Sequence, residues 1–442
     1  MEARESRGAR IAATRGLAAA LAAGLAWGLG TAGSSCNVYD ASLLLQVDAG
    51  SSEAGPPERR GIGWWSGPAD DPRSCFSARF PRPEDRPPPS VKASIAPFYL
   101  AFQTLDTATL GEDGGLDREA WQGVGFDLDG TCTGSETCET PGETHISCKT
   151  ESAGVPVDGK FCRDNTFGRL SYSASVVPEV GRAYGLNADA FNCALCVGAY
   201  NYLFRISEYN GEPDDDRVRV DLYPSPGLEQ ILPWDCRRED WKLRPCFTPD
   251  EKWNVREDVL TGPVPGPGQL PPSKLFDADA FVKKGVIVIA LPANHVFWFP
   301  GNRALATAYP LAIQRGLVTA KLAKDKDNLW KATDGVVAGR ARRDDVIKGF
   351  RLIGFCESDP NYKLLEPLIS GNLDLLASGE RNPQKPCDAL SLGLPFTAIQ
   401  ALPGNPQKVT DLVECAARDG GVDGGGDAGV DAGVDAMDAG SD

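Results

Sequence analysis

Residues 199–223 read AYNYLFRISEYNGEPDDDRVRVDLY. The first twelve are rich in the aromatic and branched side chains that suit a pleated surface. In 216–223, Val218, Val220 and Leu222 alternate with Arg217, Arg219 and Asp221, so one face is apolar and the other charged. Between the two runs, NGEPDDD is built from turn formers. The stretch predicts a hairpin with a long loop, and hence antiparallel neighbours.

Working outward, the same texture recurs in PFYLAFQTL at 97–105, VGFDLDG at 124–130, GVIVIAL at 285–291, HVFWF at 295–299, GLVTAKL at 316–322 and GVVAGRA at 335–341. Many short strands between Pro and Gly turns predict a mainly β body, an antiparallel β-sandwich or jelly roll of lectin-like outline. After residue 342 the period changes. RRDDVIKGFRLI and YKLLEPLISGNLDLLA have helical spacing, giving a small helical insert near 343–378, which Cys356 and Cys387 are taken to bracket. DALSLGLPFTAIQAL at 388–402 returns to a strand, and VTDLVECAAR at 409–418 reads as a last short helix.

The ends of the chain speak to its address. Arg4, Arg7, Arg10 and Arg15 precede an uncharged, mostly Ala and Gly run at 17–33, the pattern of a secretory signal peptide over 1–35. No later stretch is apolar enough for a spanning helix, since 285–300 is broken by Pro292, Asn294 and His295. Ser34 and Ser35 before Cys36 resemble the lipobox of bacterial lipoproteins, with Gly33 where that motif usually has Leu. Parity supports the resemblance: with Cys36 lipidated, the other twelve cysteines (75, 132, 138, 148, 162, 193, 196, 236, 246, 356, 387 and 415) form an even set for disulfides. Residues 36–62 then read as the lipidated cysteine and a flexible tether, 63–417 as the body, and 418–442 as a disordered Asp/Gly/Ala tail. The net charge of −16 argues against nucleic acid and anionic headgroups as partners, leaving the lipid anchor as the only membrane contact.

Chemistry-bearing motifs are few. VGFDLDGTC at 124–132 resembles the first motif of haloacid-dehalogenase-like phosphatases. That resemblance implies a nucleophile at Asp127, a general acid/base at Asp129 and a nearby magnesium ion. The chain lacks a convincing second acidic pair, and its strands do not alternate with helices as that family's parallel sheet requires. The favoured reading is a strand end whose acidic turn caps a cysteine-rich loop, with no metal or cofactor called for; calcium at Asp127 and Asp129 is the weaker alternative, since an EF-hand loop would need Gly where Cys132 stands. Cys193 and Cys196 in NCALCVG read as structural disulfide partners, because zinc would need more Cys and His than His145 and His295 supply. His295, within an apolar run, reads as a core or edge residue. Trp64, Trp65 and Trp298 are candidate stacking faces for a sugar, against core packing as the plainer reading.

With CNVYDASLL, SCFSARFPRPEDRPPP, FCRDNTFGRL, CDALSLGLPF and the Asp-Ala-Gly tail added, the chain resembles secreted lipoproteins of myxobacterial type. The resemblance implies a bacterial cell envelope, outer membrane or cell surface, and carries over no catalytic residue. The expectation is a lipid-anchored binder of a glycan, protein or small ligand without catalysis, the alternative being the phosphatase on 127–131.

Overall fold

The computed structural model describes residues 79–409 and Cys415, apart from 90, 112, 132, 134–145, 151–155, 177–187, 233–245, 267, 294, 300–308, 353–354 and 359–361. All of these belong to the compact unit Glu58–Asp442. The signal peptide, Cys36, the tether, Trp64, Trp65, Cys75, Cys132, Cys138, His145, Cys236, the acidic tail and nearly all of the helix expected at 409–418 lie outside the described residues.

The first half of the body carries β1 (Phe98–Leu105), β2 (Cys148–Lys149), α1 (Thr166–Ser175), α2 (Ala188–Cys196), β3 (Asn201–Ser207), β4 (Asp215–Ser225), β5 (Gly227–Leu228) and β6 (Lys252–Arg256). The second carries β7 (Phe276–Lys283), β8 (Val286–Ala290), β9 (His295–Phe299), β10 (Tyr309–Lys324), β11 (Trp330–Arg342), α3 (Arg343–Leu352), α4 (Tyr362–Ser370), β12 (Asn382–Pro386) and β13 (Ala389–Gln407). The opening hairpin forms in the expected sense, with Leu203 opposite Tyr223 and Val218, Val220 and Leu222 on one buried face. Its loop is closed by the Asp215 carboxylate, which accepts the Asn210 N–H at 2.6 Å.

The sheet departs from the expected sandwich. Strands β1, β3, β4, β7, β8, β10, β11 and β13 neighbour one another in chain order, each antiparallel to the next, and β13 pairs back onto β1, with Leu100 opposite Gln400. The sheet therefore closes as an eight-stranded barrel, and β9 adds to the first half of β10. An eight-stranded barrel is just wide enough for its inward side chains to fill it. Here rings fill it: Phe102 meets Phe396 at 4.8 Å and Phe204 at 5.2 Å, and Tyr202 stacks on Phe297 at 4.8 Å.

The outer face is covered as well. Phe281, Val286, Val288, Leu317, Val336 and Ala338 lie under Trp121, Val124, Phe126 and Leu128. On the other side, Ala101, Leu203, Tyr223 and Ala401 lie under Trp253, Val255, Leu228 and Phe247. Strands buried on both faces carry nearly continuous apolar runs, so VIVIA and YLF look alike in a sandwich core and in a wrapped barrel. That is why closure was not legible. The segment 124–130, expected as a strand, makes only single bridges, Phe126 to Asp164 and Asp127 to Arg79.

Helices α1 to α4 gather at one end of the barrel, where Phe167, Phe191, Phe350 and Ile369 close on Leu390. Cys356 pairs with Cys415, and Cys387 with Cys148, so the bracket expected between Cys356 and Cys387 is not formed. Cys196 pairs with Cys246, not with Cys193. Cys162 and Cys193 are also disulfide-bonded, so every described cysteine is oxidised. No helix among the described residues is long and apolar enough to cross a membrane.

Candidate metal centre

Outward-facing residues of β11 and β13 form the floor on which the acidic turn sits. Asn165 caps α1 by accepting the Gly168 N–H at 3.1 Å and also exchanges two hydrogen bonds with the Gly393 backbone on β13, at 2.9 and 3.0 Å. This fixes the preceding residue, Asp164, which is buried. Its Oδ2 accepts the Leu128 N–H at 2.6 Å and thereby draws the turn 127–131 over the sheet. Within the turn, Asp127 Oδ1 accepts the Gly130 N–H at 2.5 Å and Asp129 Oδ1 accepts the Thr131 N–H at 2.7 Å. Gly130 sits at φ 68°, a left-handed conformation that favours glycine, and a Cβ there would lie 2.2 Å from the Arg381 guanidinium, which would have to move.

The fold thus brings one carboxylate oxygen each from Asp127, Asp129 and Asp164 within 4.8 Å of one another. Asp158 adjoins them, its Oδ2 accepting the Thr133 N–H at 2.6 Å, and Asp374 lies beyond, held by Ser391 and Thr166. Two arginines adjoin the cluster, Arg340 buried on β11 and Arg381 exposed; both bond turn carbonyls, their charges partly offset the carboxylates, and Arg340 Nε has no hydrogen-bond partner among the described residues. Arg340 donates to Leu128 O, and Arg381 donates to Asp129 O and, at 2.8 Å, to Gly130 O.

The electrostatic consequence is strain on the charged forms. Burial, then the Asp129 charge, pushes Asp127 up to about 8. Burial also raises Asp129, against hydrogen bonds from Ser147 and Thr131. Asp158 and Asp164 are held well above the usual carboxylate range by burial and then by Asp129. Asp374 is pushed up to about 6 by burial, opposed by its bonds to Ser391 and Thr166.

A donor set made only of oxygens, with no His or Cys, suits a hard divalent cation. Calcium takes carboxylate and hydroxyl oxygens of this type at about 2.3–2.6 Å. In the same turn, the Thr131 hydroxyl is 8% exposed and has no hydrogen-bond partner among the described residues. The residues present therefore fit calcium.

Of the sites expected from sequence, the structure joins Asp127 and Asp129 and adds Asp164, Asp158 and Asp374, which sequence reasoning missed. Only the cap Asn165 and the helix after it hinted at Asp164, since 35 residues of chain separate it from Asp129. The phosphatase resemblance meets a different setting. Asp127 stands in an isolated bridge, not at the end of a strand in a parallel sheet, and its Oδ1 is occupied by its own turn. Trp298 is half-buried, with the Arg256 guanidinium 4.9 Å from its ring centroid. His295 is buried inside the barrel, its Nε2 2.5 Å from the Tyr202 hydroxyl, and burial lowers it to about 4, so the ring is neutral.

Fold and site together define a disulfide-stapled, wrapped antiparallel barrel with a candidate centre for a hard cation. No family model, curated protein or solved structure matches the chain.

Proposed function

We propose that the chain is a lipid-anchored, non-catalytic binding protein of the bacterial cell envelope whose wrapped barrel is held by calcium at Asp127, Asp129 and Asp164. The observation that carries the metal reading is the convergence of these carboxylates in a buried turn whose carbonyls are already taken by Arg340 and Arg381. Like charges so placed repel, and a divalent ion bound among them reverses the sign of that interaction. The signal-peptide pattern, the cysteine parity around Cys36 and the oxidised described cysteines support an envelope address. A barrel interior filled by rings puts ligand contact on the outer loops, which is where binding residues concentrate on rigid scaffolds.

Calorimetry with calcium chloride on the purified full-length chain tests the metal. Binding at one site is expected, with a melting temperature that falls on chelation and an Asp164→Asn variant that loses at least tenfold in affinity. No heat and no melting shift in the native protein would remove calcium from the reading.

A further inference from the structure

Past the metal centre, the outward-facing residues of β13 continue into a second feature. Register slips in β1 between Phe102 and Thr104, and in β11 between Ala332 and Gly335, flank the same stretch of β13, where Thr104 opposes Thr397 and Gly335 opposes Phe396. Bulges re-aim side chains and recur beside functional sites. These two open a cleft of about 300 Å³, the low end of the range for small-molecule sites.

The cleft's polar groups have spare capacity. Asp334, at φ 51° in the β11 bulge, is exposed, and its carboxylate takes no hydrogen bond or ion pair from the described residues. Asn192 accepts the Leu105 N–H at 2.8 Å through Oδ1, which leaves its NH₂ for another partner. The Thr104 and Thr397 hydroxyls lie 2.7 Å apart. Pro395 and Val336 supply apolar wall, and Gly111, Gly114 and Gly123 let a ligand approach the backbone. No lysine or arginine lines the cleft, which disfavours anions, and Asp106 already accepts from Thr109 and Leu110, which leaves one open carboxylate.

We infer that this cleft binds a neutral saccharide, with vicinal hydroxyls donating to Asp334, the Asn192 NH₂ donating to a ring or hydroxyl oxygen, and the C–H face lying against Pro395 and Val336. One acceptor carboxylate, one amide donor, paired hydroxyls and a small apolar wall match the alternating polar and C–H surface of a pyranose. The assignment rests on the binding-protein reading above, and names its ligand class and its site. Gly123 and Val124 form one wall and lie a few residues before Asp127, so the metal turn braces the cleft without being part of it.

The test is saturation-transfer NMR and calorimetry on the full-length chain with the methyl glycosides of glucose, galactose and mannose and with N-acetylglucosamine. Binding of at least one is expected, weakened at least tenfold in both Asp334→Asn and Gly123→Tyr. Asn tolerates the positive φ at 334, and a Cβ on Gly123 meets nothing within 4 Å, so both variants are expected to melt as the native chain does. Should Gly123→Tyr melt early, Asp334→Asn alone decides. Absence of transfer from all four sugars, transfer unchanged in the variants, or displacement by methylammonium at equal concentration would overturn the assignment. Sugar binding that persists in Asp164→Asn, with no calcium heat in the native chain, would instead remove the metal and leave the cleft standing.

Discussion

Asn165 and Asp164 divide a task between them. The first ties a helix start to β13, and the second uses that anchorage to hold the turn 127–131 by the Leu128 N–H. Asp127 then shows what the centre costs without metal. Its carboxyl is pushed up to about 8, above its unfolded value of about 4, so the folded chain binds a proton that the unfolded chain releases. The resulting stability is present in acid and is lost as pH rises through 8. His295 works in the opposite sense below its unfolded value of about 6.5, being held neutral in the fold. Between pH 6.5 and 8.5 the carboxyls therefore govern. Differential scanning fluorimetry of the chelated protein should show the melting temperature falling across that window, and calcium should flatten the fall. A chelated protein equally stable at both ends of the window would count against the buried, shared charge.

At the scale of elements, the parallel pair β2 and β12 is short, yet it delivers two groups to the turn. Ser147, just before β2, helps hold the Asp129 carboxyl down, and Arg381, just before β12, donates to the Asp129 and Gly130 carbonyls. The Cys148–Cys387 disulfide, which closes a separation of 239 residues, locks this pair. Replacing both cysteines by Ser is expected to cost about 2–5 kcal/mol in denaturant unfolding. It should also weaken calcium about tenfold, because Ser147 and Arg381 lose their common frame. Unaltered calcium affinity in that variant would mean the turn holds itself. The strands were legible in the sequence because their apolar and branched residues are dense. Closure was not, because β1 and β13 lie about 300 residues apart and no local pattern marks a partner at that distance. The acidic turn was legible for the same local reason, through Asp127 and Asp129. Asp164, Asp158 and Asp374 reach it only through tertiary pairing, and the cleft arises from two bulges that leave no signature in the strand period.

For the whole molecule, the proposed lipid anchor is tested at Cys36. Cys36→Ser is expected to move the protein from the detergent-rich phase to the aqueous phase on Triton X-114 partition, and to change its mass by the lost acyl groups. A variant that stayed in the detergent phase at unchanged mass would sever the anchor from that cysteine. The barrel owes its integrity to the seam between β1 and β13, where Phe102 and Phe396 meet across the interior. Because that seam joins the earliest barrel strand to the latest, the ring cannot shut until β13 has been made. Without β13 the edges of β1 and β11 would lack their partner and Phe102 its cover, a shape that invites pairing with a second copy. The order of strands thus sets a timing rule. The growing chain has to be kept apart from its neighbours until its last strand is available, and only then does it become a self-contained object.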